Sequence, residues 1–125
     1  MGNGISIEKV NFDDMQKMIS NDSVIINTLH QQQQDCLISK SVAATDEERL
    51  LNNLLKNNKN EKIVVYGKNA CDDNIIKKYN QLISLGFTNV AIYPGGMFEW
   101  LLLQDCYGEQ LFKTTGKELD ILKYK

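Results

Sequence analysis

Apolar residues along the chain recur with two spacings, one typical of strands and one typical of helices. Two β-branched runs, residues 23–28 and 63–66, predict strands that are buried on both faces of a parallel sheet. Residues 89–93 predict a further strand, and residues 5–7 and 36–38 predict two shorter ones. Helical patterns separate these runs, so the strands are expected to be joined by helices that cross over the sheet.

Two helices are predicted in the first half of the chain. Asn11 is placed to cap a helix over residues 12–19. The sequence Thr45-Asp46-Glu47-Glu48 is typical of a capping box, so a second helix is predicted to begin at Thr45 and to stop within residues 56–62. Four leucines form its apolar stripe: Leu50, Leu51, Leu54 and Leu55.

Two longer helices and a short one are predicted in the second half. The third helix is expected to begin near Asp72 and to close at Gly86, and the fourth follows the turn Pro94-Gly95-Gly96. Leu119 and Leu122 are expected to anchor a last helix near the C-terminus. The core-facing residues predicted for the third and fourth helices are Ile75, Ile76, Tyr79, Leu82 and Ile83, and then Met97, Trp100, Leu101 and Leu103.

The alternation of strands and helices indicates an α/β domain with a central parallel sheet and helices on both faces. A chain of 125 residues is long enough to bury one core. We therefore expect a single domain over residues 1–125, with a flexible tail at residues 1–4 and a C-terminal extension at residues 109–125. The composition, 42% apolar and 24% charged, is that of an ordinary globular protein.

Charge and hydropathy argue against two classes of partner. The net charge is −2 and the fourteen basic residues are spread along the chain, whereas a nucleic-acid binder would concentrate them in a patch. No apolar run approaches the about 20 residues needed to cross a bilayer, and the N-terminus lacks a secretory pattern. The expected location is intracellular and cytoplasmic, and the oligomeric state stays open.

The three cysteines, Cys36, Cys71 and Cys106, lie far apart and include no Cys-x-x-Cys pair. Their number and spacing favour a reducing compartment and argue against a disulfide framework or a zinc site, and no cofactor is predicted. Cys36 and Cys106 border apolar runs, so both are interpreted as buried or half-buried structural thiols. His30, the only histidine, and the glutamines at residues 31–34 are interpreted as a surface loop.

The order and spacing of elements in the second half of the chain resemble the rhodanese-like family. The resemblance depends on five consecutive elements: the strand of residues 63–66, a loop beginning at Gly67, a helix ending at residues 85–87, the strand of residues 89–93, and Gly95-Gly96-Met97-Phe98-Glu99-Trp100. Taken alone, two glycines before a helix are also ordinary turn chemistry, and an aromatic residue at helical spacing is also typical of a core.

The first half of the chain matches the family more loosely, so that residues 5–108 are covered in all. Residues 24–27 stand where family members commonly carry an apolar strand ending in aspartate, and residues 36–43 resemble their Gly-His-Ile and Gly-Ala segment. The resemblance implies a rhodanese-like fold. In active members a cysteine at the first loop position carries sulfur as a persulfide, next to N–H groups that favour the thiolate. The corresponding residue here is Gly67, which has no side chain to act as a nucleophile.

The candidate functional site is the loop that starts at this glycine, Gly67-Lys68-Asn69-Ala70-Cys71-Asp72. Cys71 is the candidate catalytic residue, as a displaced sulfur acceptor or redox thiol. The alternative is that Cys71 is a small loop residue without chemistry. Loop N–H groups ahead of a helix are expected to form a cradle for a small anion. The carboxylate of Asp72 or Asp73 is expected to fill that cradle by folding back onto the N–H groups.

Two functions stay open on this evidence. One is a rhodanese-like domain without ordinary thiosulfate sulfurtransferase activity, acting as a binding or regulatory module for a protein partner or a small anion. The other is a sulfurtransferase or thiol-redox enzyme that uses Cys71.

The N-terminal sequence Met1-Gly2-Asn3-Gly4-Ile5-Ser6 fits the pattern for myristoylation of Gly2. The alternatives are a plain flexible tail and an expression remnant. A single acyl chain would give only marginal, reversible membrane attachment, so association with a membrane is expected only if Gly2 is acylated.

Overall fold

Five parallel strands form one sheet in the computed structural model, which describes residues 7–125. In chain order they are β1 Glu8–Lys9, β2 Val24–Asn27, β3 Ser41–Val42, β4 Ile63–Tyr66 and β5 Val90–Tyr93. Across the sheet the order is β1-β5-β4-β2-β3, so β5, β4 and β2 occupy the middle. The predicted central parallel sheet is confirmed.

Four α-helices and two 3₁₀ turns connect and follow the strands in this part of the chain. The helices are α1 Phe12–Ser20, α2 Ala44–Asn57, α3 Asp73–Leu85 and α4 Gly96–Tyr107, and the 3₁₀ turns are Gln31–Gln33 and Ile121–Tyr124.

Helices cover both faces of the sheet, as predicted. On one face, α2 and α3 pack Leu51 and Leu82 against Ile26 and Val65. On the other face, α1, α4 and the C-terminal segment, residues 109–125, pack against the alternate strand residues; the buried side chains there include Met15, Met97, Trp100, Phe112, Tyr124, Ile25, Val64 and Tyr66. All four residues of β4 and of β5 are buried, because successive residues of a strand point to opposite faces and both faces are covered.

Local capping determines where α1 and α3 begin. The Asn11 side chain accepts the N–H of Asp14 at 2.9 Å, and the Asp14 carboxylate accepts the N–H of Asn11 at 3.2 Å, which is a reciprocal capping box. Asp72 is the N-cap of α3, and Gly86 ends that helix with a left-handed φ of 111°. The predicted cap at Asn11, start near Asp72 and end at Gly86 are confirmed.

The start of α2 differs from the prediction. The helix begins at Ala44, with Ala43 at the N-cap position and no side-chain cap from that residue, so Thr45 lies inside the first turn. The predicted capping box at Thr45 is therefore wrong. The N–H of Ala44 donates instead to Oε1 of Gln34 at 3.1 Å, across a separation of ten residues. Because a distant side chain satisfies this N–H group, α2 needs no serine or threonine at its N-cap.

Two short strands lie elsewhere than predicted. Residues 36–38 form no strand, and Ile38 makes only an isolated antiparallel bridge to Thr114. Their apolar character reflects burial under the C-terminal segment. The strand in this region is β3, which pairs in parallel with β2. At the N-terminus, the strand is β1 and follows residue 7, whereas residues 5 and 6 lie outside the described part of the chain, as does Gly2.

The apolar anchors of the C-terminal segment are not the predicted ones. Tyr124 is buried and Ile121 packs against the core, whereas Leu119 and Leu122 are 81% and 69% exposed. A 3₁₀ turn has three residues per turn, so it places residues 121 and 124 on the same side and turns residue 122 away.

Three further residues are more exposed than predicted. Ile76 and Ile83 are about two-fifths exposed, because α3 contacts the sheet through the narrower stripe formed by Ile75, Tyr79 and Leu82. Cys106 is exposed rather than structural. It lies nine positions after the buried Met97, about two and a half helical turns, and therefore on the opposite side of α4.

Within residues 7–125, no helix has both the length and the apolar character required to span a bilayer.

Candidate functional site

The segments that follow β2, β4 and β5 meet at the carboxyl edge of the parallel sheet. Thr28 follows β2 and connects it to the loop after β4. Its N–H donates to the carbonyl oxygen of Tyr66 at 2.9 Å, and its Oγ1 lies 3.3 Å both from that oxygen and from Oδ2 of Asp72. The end of β2 therefore forms one wall of the loop.

The carboxylate of Asp72 folds back over the loop that it closes. Its Oδ2 accepts the N–H of Lys68 at 3.2 Å, and its Oδ1 accepts the N–H of Asn74 at 3.0 Å. One carboxylate thus caps α3 and also serves as an internal acceptor for the loop. The prediction that Asp72 or Asp73 bonds to the loop N–H groups is confirmed, and Asp72 is the residue that does so.

Gly67 has no room for a side chain. A Cβ atom at this residue would lie 2.7 Å from Oγ1 of Thr28 and 2.9 Å from Cγ1 of Ile75, and closer still to Oδ2 of Asp72. All of these separations are well below van der Waals contact for carbon. The space directly beyond β4 is therefore filled, and a larger residue would have to displace the Asp72 carboxylate.

Gly96 packs directly against the loop backbone. Its φ of 67° lies in the left-handed region, and a Cβ atom there would lie 2.6 Å from the carbonyl oxygen of Gly67. The next two N–H groups of α4 donate to loop carbonyls, that of Met97 to Gly67 at 2.9 Å and that of Phe98 to Lys68 at 2.8 Å. The loop backbone thus packs against the Gly-Gly element. This role is more specific than that of an ordinary turn.

Asn69 links the loop to the C-terminal segment. Its Nδ2 donates to the carbonyl oxygen of Tyr124 at 2.8 Å, and its Oδ1 accepts the N–H of Cys71 at 2.8 Å. The N–H of Asp72 donates to the Asn69 carbonyl at 3.2 Å. The N–H groups of Lys68, Cys71 and Asp72 are therefore all bonded within the protein, and the loop is largely closed on itself.

Cys71 is exposed, and its thiol makes no hydrogen bond within residues 7–125. His30 has a local structural role, because its Nδ1 accepts the N–H of Gln32 at 3.3 Å and caps a 3₁₀ turn. In the same part of the chain, no three histidine, cysteine or acidic side chains gather at a metal-binding distance. Among residues 7–125, the arrangement supplies an accessible thiol but no base hydrogen-bonded to it.

Cys36 has the opposite character. It is buried, and its thiol donates to the carbonyl oxygen of Gly116 with an Sγ–O distance of 3.6 Å. Burial raises the pKa of the thiol. A thiol that stays protonated and inaccessible is unsuited to nucleophilic chemistry. The predicted burial of Cys36 is confirmed.

Two buried tyrosines end the central strands beneath the loop. Tyr66 and Tyr93 are register partners, and the Tyr66 hydroxyl accepts the N–H of Ile38 at 3.1 Å and lies 2.7 Å from Oγ of Ser41. Burial raises the pKa of both phenols, and the charge of Glu99 adds to the effect at Tyr93. Neither phenol ionises near neutral pH. Both rings pack in the core, and the Tyr66 hydroxyl is hydrogen-bonded, whereas the buried Tyr93 hydroxyl has no hydrogen-bond partner in the described part of the chain.

A buried amide pair at the end of β2 has no clear sign in the sequence. Asn27 is 4% exposed, and its Nδ2 donates to the Val42 carbonyl at 3.0 Å. Its Oδ1 accepts the N–H of Leu29 at 3.1 Å and Nε2 of Gln34 at 2.8 Å. The prediction of a surface loop is therefore wrong for Gln34, which is half-buried. In the sequence, the buried amide pair is indicated only by Asn27, a polar residue at the end of an apolar strand.

Comparison with known proteins agrees with the fold. The family model of the rhodanese-like domain matches residues 11–103. No curated protein matches the chain at a significant level.

Several solved structures share the fold. The Alr3790 protein from Anabaena sp. is 18% identical with a TM-score of 0.63, over 92% of this chain and 98% of that one. The rhodanese-like domain of the same Anabaena protein is 26% identical with a TM-score of 0.52, over 65% of this chain and 81% of that one. Thiosulfate sulfurtransferase from Pseudomonas aeruginosa is 15% identical with a TM-score of 0.61, over 94% of this chain and 23% of that one. Since the family model also covers well over half of the 125 residues, the chain belongs to the rhodanese-like domain family.

Proposed function

We propose that this rhodanese-like domain does not carry out ordinary sulfur transfer from thiosulfate and acts as a binding module. The proposal depends on the residue at the first position of the loop after β4. A sulfur carrier must present a thiolate to the donor. By its resemblance to active members, this chain has Gly67 at that position, and the Asp72 carboxylate, Thr28 and Ile75 fill the space that a side chain would need.

The charge at the loop supports the same proposal. Thiosulfate is an anion, and an anionic substrate requires free N–H donors and a positive potential. Here the N–H of Lys68 is already bonded to the Asp72 carboxylate, and that carboxylate would repel a second anion. The Asp72 carboxylate thus already uses a donor that a substrate anion would need.

The competing function is a sulfurtransferase or thiol-redox enzyme in which Cys71 is a displaced nucleophile. The exposure of Cys71 within the same loop favours this alternative. Activation would have to come without a hydrogen bond, because the thiol makes none in the described part of the chain.

Steady-state sulfur transfer from thiosulfate to cyanide separates the two functions. We expect the purified protein to be no faster than a buffer control. Cys106→Ser is the matched control for Cys71→Ser, because Cys71 and Cys106 are the two exposed cysteines. Robust turnover that is lost in Cys71→Ser and retained in Cys106→Ser would contradict the proposal and establish the enzyme.

A further inference from the structure

A groove opens at the carboxyl edge of the sheet, on the face covered by α2 and α3. It has a volume of about 410 Å³ and is lined by the end of β2, the first turn of α2 and one side of α3. Thr28 is the point of contact with the loop, since it lines the groove and its Oγ1 lies 3.3 Å from Asp72. Cys71 and Lys68 do not line it. The groove is therefore a separate site next to the loop.

The side of α3 that faces the groove is polar. Asn74, Lys77, Lys78 and Gln81 line it. These residues are spaced by three and four positions, so their side chains project from one side of the helix. The adjacent stripe of α3 is apolar and packs against the sheet. The polar side is thus held in a fixed position by the core beneath it.

Charges in the groove do not cancel. Nζ of Lys78 lies 2.6 Å from Oε2 of Glu47, and both side chains are about four-fifths buried, so this ion pair joins α3 to α2. Lys77 makes no ion pair within residues 7–125. The side-chain amides of Asn74 and Gln81 make no hydrogen bond in that part of the chain either, since only the backbone N–H of Asn74 is used, by Asp72. The lining therefore carries one net positive charge and unused donors.

The position of the groove in the sheet is one where α/β folds place ligands. The chain leaves β2 towards β3 on one side, and it leaves β4 towards β5 on the other side. Neighbouring strands whose connections diverge leave a crevice at their carboxyl ends, which is the usual ligand position in open parallel sheets. The N-terminal ends of α2 and α3 border this crevice, and helix N-termini favour negative charge.

We propose that this groove binds a small ligand that carries an oxyanion, either a carboxylate or a phosphate. The ammonium group of Lys77 pairs with the oxyanion, and the amides of Asn74 and Gln81, three residues before and four residues after it on the helix, donate hydrogen bonds to the ligand. The volume of the groove is within the range of small-molecule sites, about 300–1,000 Å³. The ion pair of Lys78 with Glu47 holds the two helices at a fixed separation. This site does not depend on whether the neighbouring loop transfers sulfur.

An NMR titration of the intact chain tests the proposal, with inorganic phosphate in one series and acetate in another. Chloride is exchanged for the probe so that ionic strength stays constant. We expect saturable shifts of the Asn74 and Gln81 side-chain amide signals with at least one probe, and the probe that binds identifies the oxyanion. Lys77→Gln should weaken binding about tenfold, the scale of losing one charged hydrogen bond. Lys56→Gln removes the same charge from the exposed last turn of α2 and should leave binding unchanged.

Three results would overturn the proposal. The first is no saturable shift with either probe. The second is equal weakening in the Lys77 and Lys56 variants, which would mean that only overall charge matters. The third is a set of shifts confined to the backbone signals of Lys68 and Cys71, which would mean that the anion binds the loop instead. None of these results depends on sulfur transfer, so failure here is distinguishable from failure of the proposed function.

Discussion

Helices α2 and α3 both begin at the carboxyl edge of the sheet, but their first turns are held by side chains of different origin. Asp72, the residue directly before α3, accepts an N–H of that helix and also an N–H of its own loop. The first N–H of α2 donates to Gln34, which belongs to a segment ten residues away. A local cap therefore closes the loop beside α3, whereas a remote cap connects α2 to the buried end of β2.

The loop after β4 and the groove between α2 and α3 are neighbouring polar regions, and they differ in the hydrogen-bond donors and charges that have no partner. In the loop after β4, the N–H groups of Lys68, Cys71 and Asp72 are bonded internally, to Asp72 and Asn69. The groove between α2 and α3 keeps Lys77 without an ion pair in the described chain. The two regions therefore differ in the donors that they leave without a partner, and the proposed binding module depends on this difference.

The largest expected effect on stability comes from Gly96→Ala, which places a methyl group against the backbone of the closed loop. The added methyl group would lie 2.6 Å from the Gly67 carbonyl oxygen at a residue whose φ is 67°. We expect a loss of about 2–4 kcal/mol in the free energy of unfolding, from left-handed strain together with overpacking. Denaturant unfolding measures it. Gly86→Ala is the matched control, because φ is also positive there but the nearest atoms are those of the flexible Lys59 side chain at 3.9 Å.

A loss near 1 kcal/mol is expected for the Gly86 control, the usual scale for this backbone conformation alone. Equal losses in the two variants would show that the loop does not press on Gly96 and that the closed loop is not as tight as described.

Gln34→Ala tests the remote cap. The substitution leaves the buried Asn27 amide and the Ala44 N–H without their partner, so we expect a loss of about 1–3 kcal/mol in unfolding free energy. Gln32→Ala, an exposed neighbour, should cost almost nothing. If the two variants proved equally stable, the amide pair would not hold α2.

Asp72→Ala tests the local cap and opens the loop. We expect a loss of about 0.5–2 kcal/mol, the usual scale for an N-cap. Thermal unfolding at neutral pH measures it. Asp73→Ala removes the same charge from the first turn of α3 without removing the cap, so its expected loss is smaller, about 0.3–1 kcal/mol. Unchanged melting of the Asp72 variant would contradict the role of its carboxylate.

The smallest expected effect is that of Thr45→Ala. Thr45 is exposed and lies inside the first turn of α2, so its removal should change the unfolding free energy by no more than about 0.5 kcal/mol. A loss of about 1 kcal/mol, as for a capping threonine, would show that α2 begins at Thr45 in solution.

Features determined by neighbouring residues could be predicted from the sequence. The strand β4, the cap at Asp72 and the end of α3 at Gly86 all depend on residues within a few positions of each other. The spacing from the loop to Gly96 and Trp100 also reflected a real contact, since Gly96 supports the loop.

Features determined by distant contacts could not be predicted. Nothing distinguishes Gln34 from the three preceding glutamines until the fold brings it to Asn27. Likewise, Tyr124 becomes an anchor only because the C-terminal segment returns to the loop at Asn69. The groove depends on where α2 and α3 stand relative to each other, which single-chain periodicity does not specify.

The most direct test of the central claim is the detection of a persulfide by mass spectrometry. The native chain is incubated with thiosulfate, its accessible thiols are alkylated, and each cysteine-containing peptide is weighed. Cys71→Ser is the control for assignment. We predict that no cysteine gains a sulfur atom, because the first position of the loop, Gly67, has no nucleophile and the Asp72 carboxylate already accepts the N–H of Lys68. A single added sulfur atom on Cys71, absent from the variant, would contradict this account.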